Sequence, residues 1–164
     1  MTNHNTKWFI VKVRYTKQLE NGSFKRVTEP YLLPAYTFTD GEARIYDELG
    51  SIIKGEFDVT SMATTDAHEI FQYEDSEVWY KVVIKFESVN DDTEKTKVVK
   101  NTMYITASSV EQAADRIKES LATSMRDFKI DSVSETPIVE VFAPVTATHL
   151  TEEDMAFLEE EDHF

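Results

Sequence analysis

Two short stretches combine an indole, cations and alternating apolar residues. Residues 8–16 and 79–88 alternate in side-chain character, the period of a half-buried strand. Phe9, Val11, Val13 and Tyr15 share one face of the first stretch. Tyr80, Val82, Ile84 and Phe86 share the matching face of the second. These sets are apolar and are expected in the core. The other faces carry Trp8, Ile10, Lys12 and Arg14, and Trp79, Lys81, Val83 and Lys85. Bases stack on an indole while Lys and Arg meet phosphates, which is the chemistry of single-stranded nucleic acid. The segments that follow add Phe24, Lys25 and Arg26, then Lys95, Lys97 and Lys100. The candidate nucleic-acid-binding set is Trp8, Lys12, Arg14, Phe24, Lys25, Arg26, Trp79, Lys81, Lys85, Lys95 and Lys97. A Trp at a strand start also serves as a core residue, and strand cations also protect edges, so both readings stay open at this point.

Catalytic chemistry finds no footing in the residue types. His4, His68, His149 and His163 are scattered without metal-ligand spacing, and the four Gly are too dispersed for a phosphate loop. Ser61 and Ser132 recur without a recurring His, so no nucleophile–base pair is indicated. Glu69 and Glu140 recur inside short strands, where a catalytic carboxylate pair is conceivable and an edge or cross-repeat hydrogen-bonding role is the favoured reading. The acidic turn from Asn90 to Glu94 lacks the Gly and spacing of a calcium loop. The chain has no Cys, which excludes disulfides, a thiolate nucleophile and Cys-ligated zinc. The expectation is a non-enzyme without cofactor or metal.

The elements that must position these residues come from a duplication. An ungapped offset of 71 places Trp8 on Trp79, Val11 on Val82, Val27 on Val98, Ala43 on Ala114 and Glu48 on Glu119. It also places Phe57 on Phe128, Ser61 on Ser132, Thr65 on Thr136, Glu69 on Glu140 and Phe71 on Phe142. Asn21-Gly22 and Asp91-Asp92 are turn chemistry, so the strands return as hairpins over 24–37 and 95–107. Pro30 and Pro34 mark the first return as an edge or bulged strand. Helices follow over 40–53 and 109–124, with Thr39 or Asp40, and Ser108 or Ser109, as N-caps. Ala43, Tyr46, Leu49 and Ile53 form one predicted core stripe; Ala113, Ile117, Leu121 and Ser124 or Met125 form the other. Strands over 56–64 and 127–134, and short ones over 68–73 and 138–142, complete each unit. The predicted fold class is α+β: tandem β-β-α-β-β repeats giving antiparallel sheet with two helices about a pseudo-twofold axis. Repeat one covers 1–74, repeat two 75–143, and 144–164 is a linker and acidic tail.

The net charge is -14, from 31 acidic and 17 basic residues. Residues 151–164 hold seven of the acids and no Lys or Arg, so half the excess sits there. No apolar run approaches the ~20 residues of a membrane span, and no secretory h-region opens the chain. A soluble, cytoplasmic protein without membrane contact is expected (the host cytoplasm if phage-encoded).

Read from the strand at 56–64, the order β-β-β-β-α resembles the repeat of the Whirly, transcriptional-coactivator and purine-rich-element-binding families, which bind single strands on sheet surfaces. The acidic tail Glu159, Glu160, Glu161, Asp162 and Phe164 resembles the C-termini of bacterial and phage single-stranded DNA-binding proteins. His163 stands where those tails have Pro. That likeness implies docking of replication or repair proteins on Phe164 and competition with DNA. Trp8-Phe9 with Lys12 to Tyr15, Val27 to Leu32, Glu42 to Ile45, and Glu135 to Ile138 resemble an uncharacterised-domain family of gut anaerobic bacteria and their phages. The combined expectation is a non-catalytic single-stranded DNA-binding protein of phage or mobile-element replication, with homo-oligomerisation left open. The alternative is an acidic protein-interaction or DNA-mimic module, or a virion component.

Overall fold

A computed structural model of the chain describes residues 6–124 and 127–143. Its elements run β1 (Lys7–Gln18), β2 (Phe24–Ala35), α1 (Phe38–Gly50), β3 (Phe57–Thr65), β4 (Glu69–Phe71), β5 (Trp79–Val89), β6 (Thr96–Thr106), α2 (Val110–Leu121), β7 (Lys129–Glu135) and β8 (Glu140–Val141). The order is the β-β-α-β-β unit twice, and the class is α+β. Among the described residues no helix is long and apolar enough to cross a membrane.

The strands form two four-stranded sheets, ordered β3-β1-β2-β8 and β4-β6-β5-β7. Each repeat builds three antiparallel strands of its own sheet and donates its last strand to the other. β8 runs parallel to β2, and β4 runs parallel to β6. The repeats are therefore interlocked. Pro30 and Pro34 lie inside β2, a central strand, and not on an edge. The carbonyls of Pro30 and Leu32 accept from Val139 and Phe142, so this side of β2 faces β8. A proline on that side offers no N–H. The two prolines thus confine the β2–β8 ladder to Tyr31 and Leu32.

One face of each sheet is covered by its helix. Phe9, Val11, Val13, Tyr31 and Leu33 pack with Ile45 and Leu49 of α1. Tyr80, Val82, Ile84, Met103 and Ile105 pack with Ala113, Ile117 and Leu121 of α2. Full burial of such side chains contributes about 1.5–3 kcal/mol each, and this is the main force holding helix to sheet. Of the predicted α2 stripe Ala113, Ile117 and Leu121 are buried, Ser124 is exposed and Met125 lies outside the described residues; of the predicted α1 stripe only Leu49 and Ile53 are buried. Ala43 and Tyr46 are exposed, and Gly41, Ile45 and Leu49 face the core. The N-caps are Thr37 and Ser109, whose hydroxyls accept from the amides of Asp40 and Gln112. Thr37 replaces the predicted Thr39 or Asp40, so α1 starts earlier than expected.

These shifts share a cause. Strand pairing puts Trp8 opposite Pro34 but Trp79 opposite Thr106, so beyond the first hairpin the repeats correspond at an offset of 72. Arg44 and Arg116 correspond, as do Ile45 and Ile117, and Leu49 and Leu121. The acidic turn after β5 carries one extra residue. At β3 and β7 the offset returns to 71. The sequence matches of Val27 with Val98, Ala43 with Ala114 and Glu48 with Glu119 are therefore out of structural register.

The sheets meet through their second faces. Leu32, Trp79, Tyr104 and Ile138 form a buried seam, with Trp8, Ile10, Ala67, Ile70 and Val141 packed against it. The hydroxyls of Thr65 and Tyr104 lie 3.3 Å apart across it.

Candidate nucleic-acid interface

The seam decides the fate of the two indoles. Trp79 is only 2% exposed. It cannot stack on a base, and this corrects the expectation of two exposed indoles. Its position at a strand start serves packing between the repeats, because the face opposite the helix is covered by the other sheet. Trp8 is half-buried and lines an open cavity beside the seam.

Beyond the seam, the second face of the β1–β2 hairpin reaches solvent. Lys12 and Arg14 are exposed on β1. Arg26 lies opposite Thr16, and Phe24 opposite Gln18, on the same face. Phe24 is 70% exposed. Thr16, Thr28 and Ser61 add hydroxyls around the cations, since Arg14 pairs with Thr28 and Lys12 with Ser61. Among the described residues neither Lys12 nor Arg14 makes an ion pair. Arg26 meets Asp58 at 3.7 Å, with both side chains more than half exposed. Exposed pairs of this kind hold at most about 1 kcal/mol, so Arg26 stays available to a phosphate. Lys25 lies opposite Lys17 and projects from the opposite face, so the structure separates it from the other three cations.

The second hairpin arranges its charges differently. The positions of Lys12, Arg26 and Phe24 are taken by Val83, Val98 and Thr96. Lys85 corresponds to Arg14 but is held by Asp131 at 3.4 Å, and Lys100 is held by the same carboxylate at 3.2 Å. The hydrogen bond from Lys100, followed by that from Lys85, holds the Asp131 carboxyl below its ordinary range. Lys81 is half-buried opposite Tyr104. Lys97 lies opposite Ser88 on the other face, and Lys95 precedes β6 in the turn with Asp91, Asp92 and Glu94. The sequence-derived basic set thus divides: the first hairpin gathers Lys12, Arg14, Arg26 and Phe24, and the second gathers no matching group. Glu159, Glu160, Glu161, Asp162 and Phe164 lie outside the described residues.

A bulge explains the asymmetry. The register of β1 with β3 shifts between Lys12 and Val13, and that of β5 with β7 shifts between Val83 and Ile84. The skipped residues are Thr60 and Asp131, at equivalent positions. A bulge re-aims its extra side chain. In the first repeat it supplies a hydroxyl that donates to the Lys12 carbonyl at 3.3 Å. In the second it places a carboxylate beneath two lysines. Sequence reasoning passed over both residues, although the offset of 71 already sets Thr60 against Asp131.

Two arginines also escaped notice. Arg116 is 8% exposed, donates to the Thr106 carbonyl at 2.8 Å and to Asp75 at 2.5 Å, and lies 4.1 Å over the Tyr73 ring. Arg44 donates to the carbonyls of Pro34 and Ala143. Each helix thereby straps the segment that leaves the exchanged strand of its sheet. These are structural groups rather than site residues.

The family model described as a domain of unknown function, DUF4494, matches residues 7–145. No curated protein matches the chain.

Proposed function

The chain belongs to the DUF4494 family, and we propose that it binds single-stranded DNA, without reacting on it, through the second face of its first hairpin. The observation that carries this reading is the stripe Lys12, Arg14 and Arg26 leading to the exposed ring of Phe24. Cations there meet phosphates and the ring stacks on a base. A duplex fits the stripe less well, because its bases are already stacked and out of reach of Phe24. The acidic residues 151–164 would compete with the strand for the stripe and offer charge to a basic replication or repair partner.

A mobility-shift series with single-stranded DNA, duplex DNA and RNA tests the proposal. Retention of the single strand is expected at low salt. Affinity should fall with a log–log slope of roughly -2 to -3, the value for three or four phosphate contacts on a single strand. Replacing Arg14 and Arg26 together by Ala should flatten that slope. Absence of any shift at low salt, with the acidic run intact or neutralised to Gln and Asn, would reject the proposal.

A second reading, a protein-interaction module, is favoured by the exposed valines of the second hairpin, Val89 and Val98, at 60% and 58%. On that reading Val98→Ser removes partner capture and the stripe variants do nothing.

A further inference from the structure

At the pseudo-twofold position where the second repeat seats Ile138 with Trp79, the first repeat has Ala67 beside Trp8. The smaller side chain leaves a cavity of about 330 Å³, whose lining includes Trp8, Ala67, His68, Glu69, Gln72 and Val141. We infer that this cavity takes one nucleobase of a bound strand, an inference that rests on the proposed single-strand binding. Its volume falls at the lower end of the range of about 300–1,000 Å³ for small-molecule sites. One wall is a half-buried indole, the surface on which a flat ring stacks. The Glu69 and Gln72 side chains make no hydrogen bond among the described residues. A base edge offers the N–H groups that Glu69 accepts and the mixed groups that Gln72 matches. Among the described residues no Lys or Arg lines the cavity, so a phosphate finds no such partner there. The cations lie further along the same strand face, with Lys12 four residues from Trp8, about 13 Å at strand rise. Base and backbone are thereby received at different places on one surface.

The test uses the full chain and Ala67→Ile, which installs the residue that the second repeat already accommodates. Deoxynucleosides, which carry no phosphate, are titrated while tryptophan emission is followed, with Trp8→Phe identifying the signal of Trp8. Wild type is expected to show saturable quenching that Ala67→Ile weakens tenfold or more and Trp8→Phe abolishes. Equal responses of wild type and Ala67→Ile, or none from the folded wild type, would overturn the inference. Labelled oligonucleotides with and without a run of abasic sites separate it from the binding proposal. Tighter binding of the intact strand, with the difference reduced by Ala67→Ile, supports the cavity. A preference for the intact strand that Ala67→Ile leaves unchanged assigns the base contact to Phe24, leaves the hairpin reading standing and overturns the cavity; equal binding of both strands overturns the cavity and the Phe24 stacking together. If no strand binds, the hairpin reading fails and nucleoside quenching alone decides. A shift of Trp8 emission on removing residues 151–164, with no nucleoside response in either form, assigns the cavity to that segment and also overturns the inference.

Discussion

At the scale of single residues, the molecule holds several titrating groups by hydrogen bonds that differ between its halves. Tyr15 and Tyr31 donate to opposite oxygens of Glu29 at 3.0 and 3.2 Å. Burial first, and then the hydrogen bond and charge of Glu29, push the Tyr15 phenol up to about 12. Burial, then the charge of Glu29, raises Tyr31 as well. A raised phenol favours the native state while protonated. This contribution is complete below the ordinary value of 10.0 and is lost as pH rises toward 12. Glu29→Gln should move the late phenolate absorbance step, that of Tyr15 and Tyr31, to lower pH and bring alkaline unfolding down with it. Asp75 behaves oppositely. The hydrogen bond from Arg116 keeps its carboxyl below the ordinary 3.8. Its contribution is present above that value and is lost as pH falls through the lower native one. Asp75→Asn should flatten the acid limb of a stability–pH profile, with little change at neutral pH in the shape of the profile. Trp79→Ala should cost about 3–5 kcal/mol in a denaturant melt, since it empties the seam.

Elements show where the two repeats trade volume. A Cβ at Gly41 would overlap Met62 Cε and sit 3.3 Å from Ala35 Cβ. The second repeat has Ala113 and Val133 at the corresponding places. Gly41→Ala gains about 1 kcal/mol of helix propensity but displaces Met62. Met62→Val alone removes packed atoms. The double variant should exceed the sum of the singles by about 0.5–1 kcal/mol in chemical denaturation, and strict additivity would contradict this pairing. Legibility follows the same line. β1, β5 and the helices could be read from periodicity, because burial of one face imposes period 2 or 3.6, whereas the return strands were legible from turn chemistry, since β2 buries Pro30 to Ala35 without alternation. The face of α1 was only half legible, since Ala43 and Tyr46 mimic an apolar stripe and the packing of Gly41, Ile45 and Leu49 on the sheet decides the rotation. The role of Trp79 was equally hidden. Alternation shows that a residue leaves the helix-covered face, but not that a second sheet waits on the other side. Lys85 read as a free cation because its partner Asp131 is 46 residues distant in sequence and is aimed by a bulge.

The whole molecule is held as one unit by exchange of strands. β4 pairs with β6, and β8 with β2, so neither sheet is complete within its own repeat. Residues 1–74 alone are expected to remain unfolded when dilute and to fold on association, either with a second copy or with residues 75–143. Circular dichroism against concentration checks this; a folded monomer of either half would contradict it. Duplication with exchange also frees the repeats to diverge. One hairpin leaves Lys12 and Arg14 without an ion pair among the described residues and pairs Arg26 only with the exposed Asp58, and the other ties Lys85 and Lys100 to Asp131. The most direct measurement is therefore fluorescence anisotropy of labelled single-stranded DNA with wild type, Thr60→Asp and Asp131→Thr. Each substitution transplants the bulge residue of one repeat into the other, at a backbone that already accepts it. Thr60→Asp should weaken binding roughly tenfold, about 1.4 kcal/mol, and Asp131→Thr should strengthen it by releasing Lys85 and Lys100. Equal affinity across all three proteins would contradict the account.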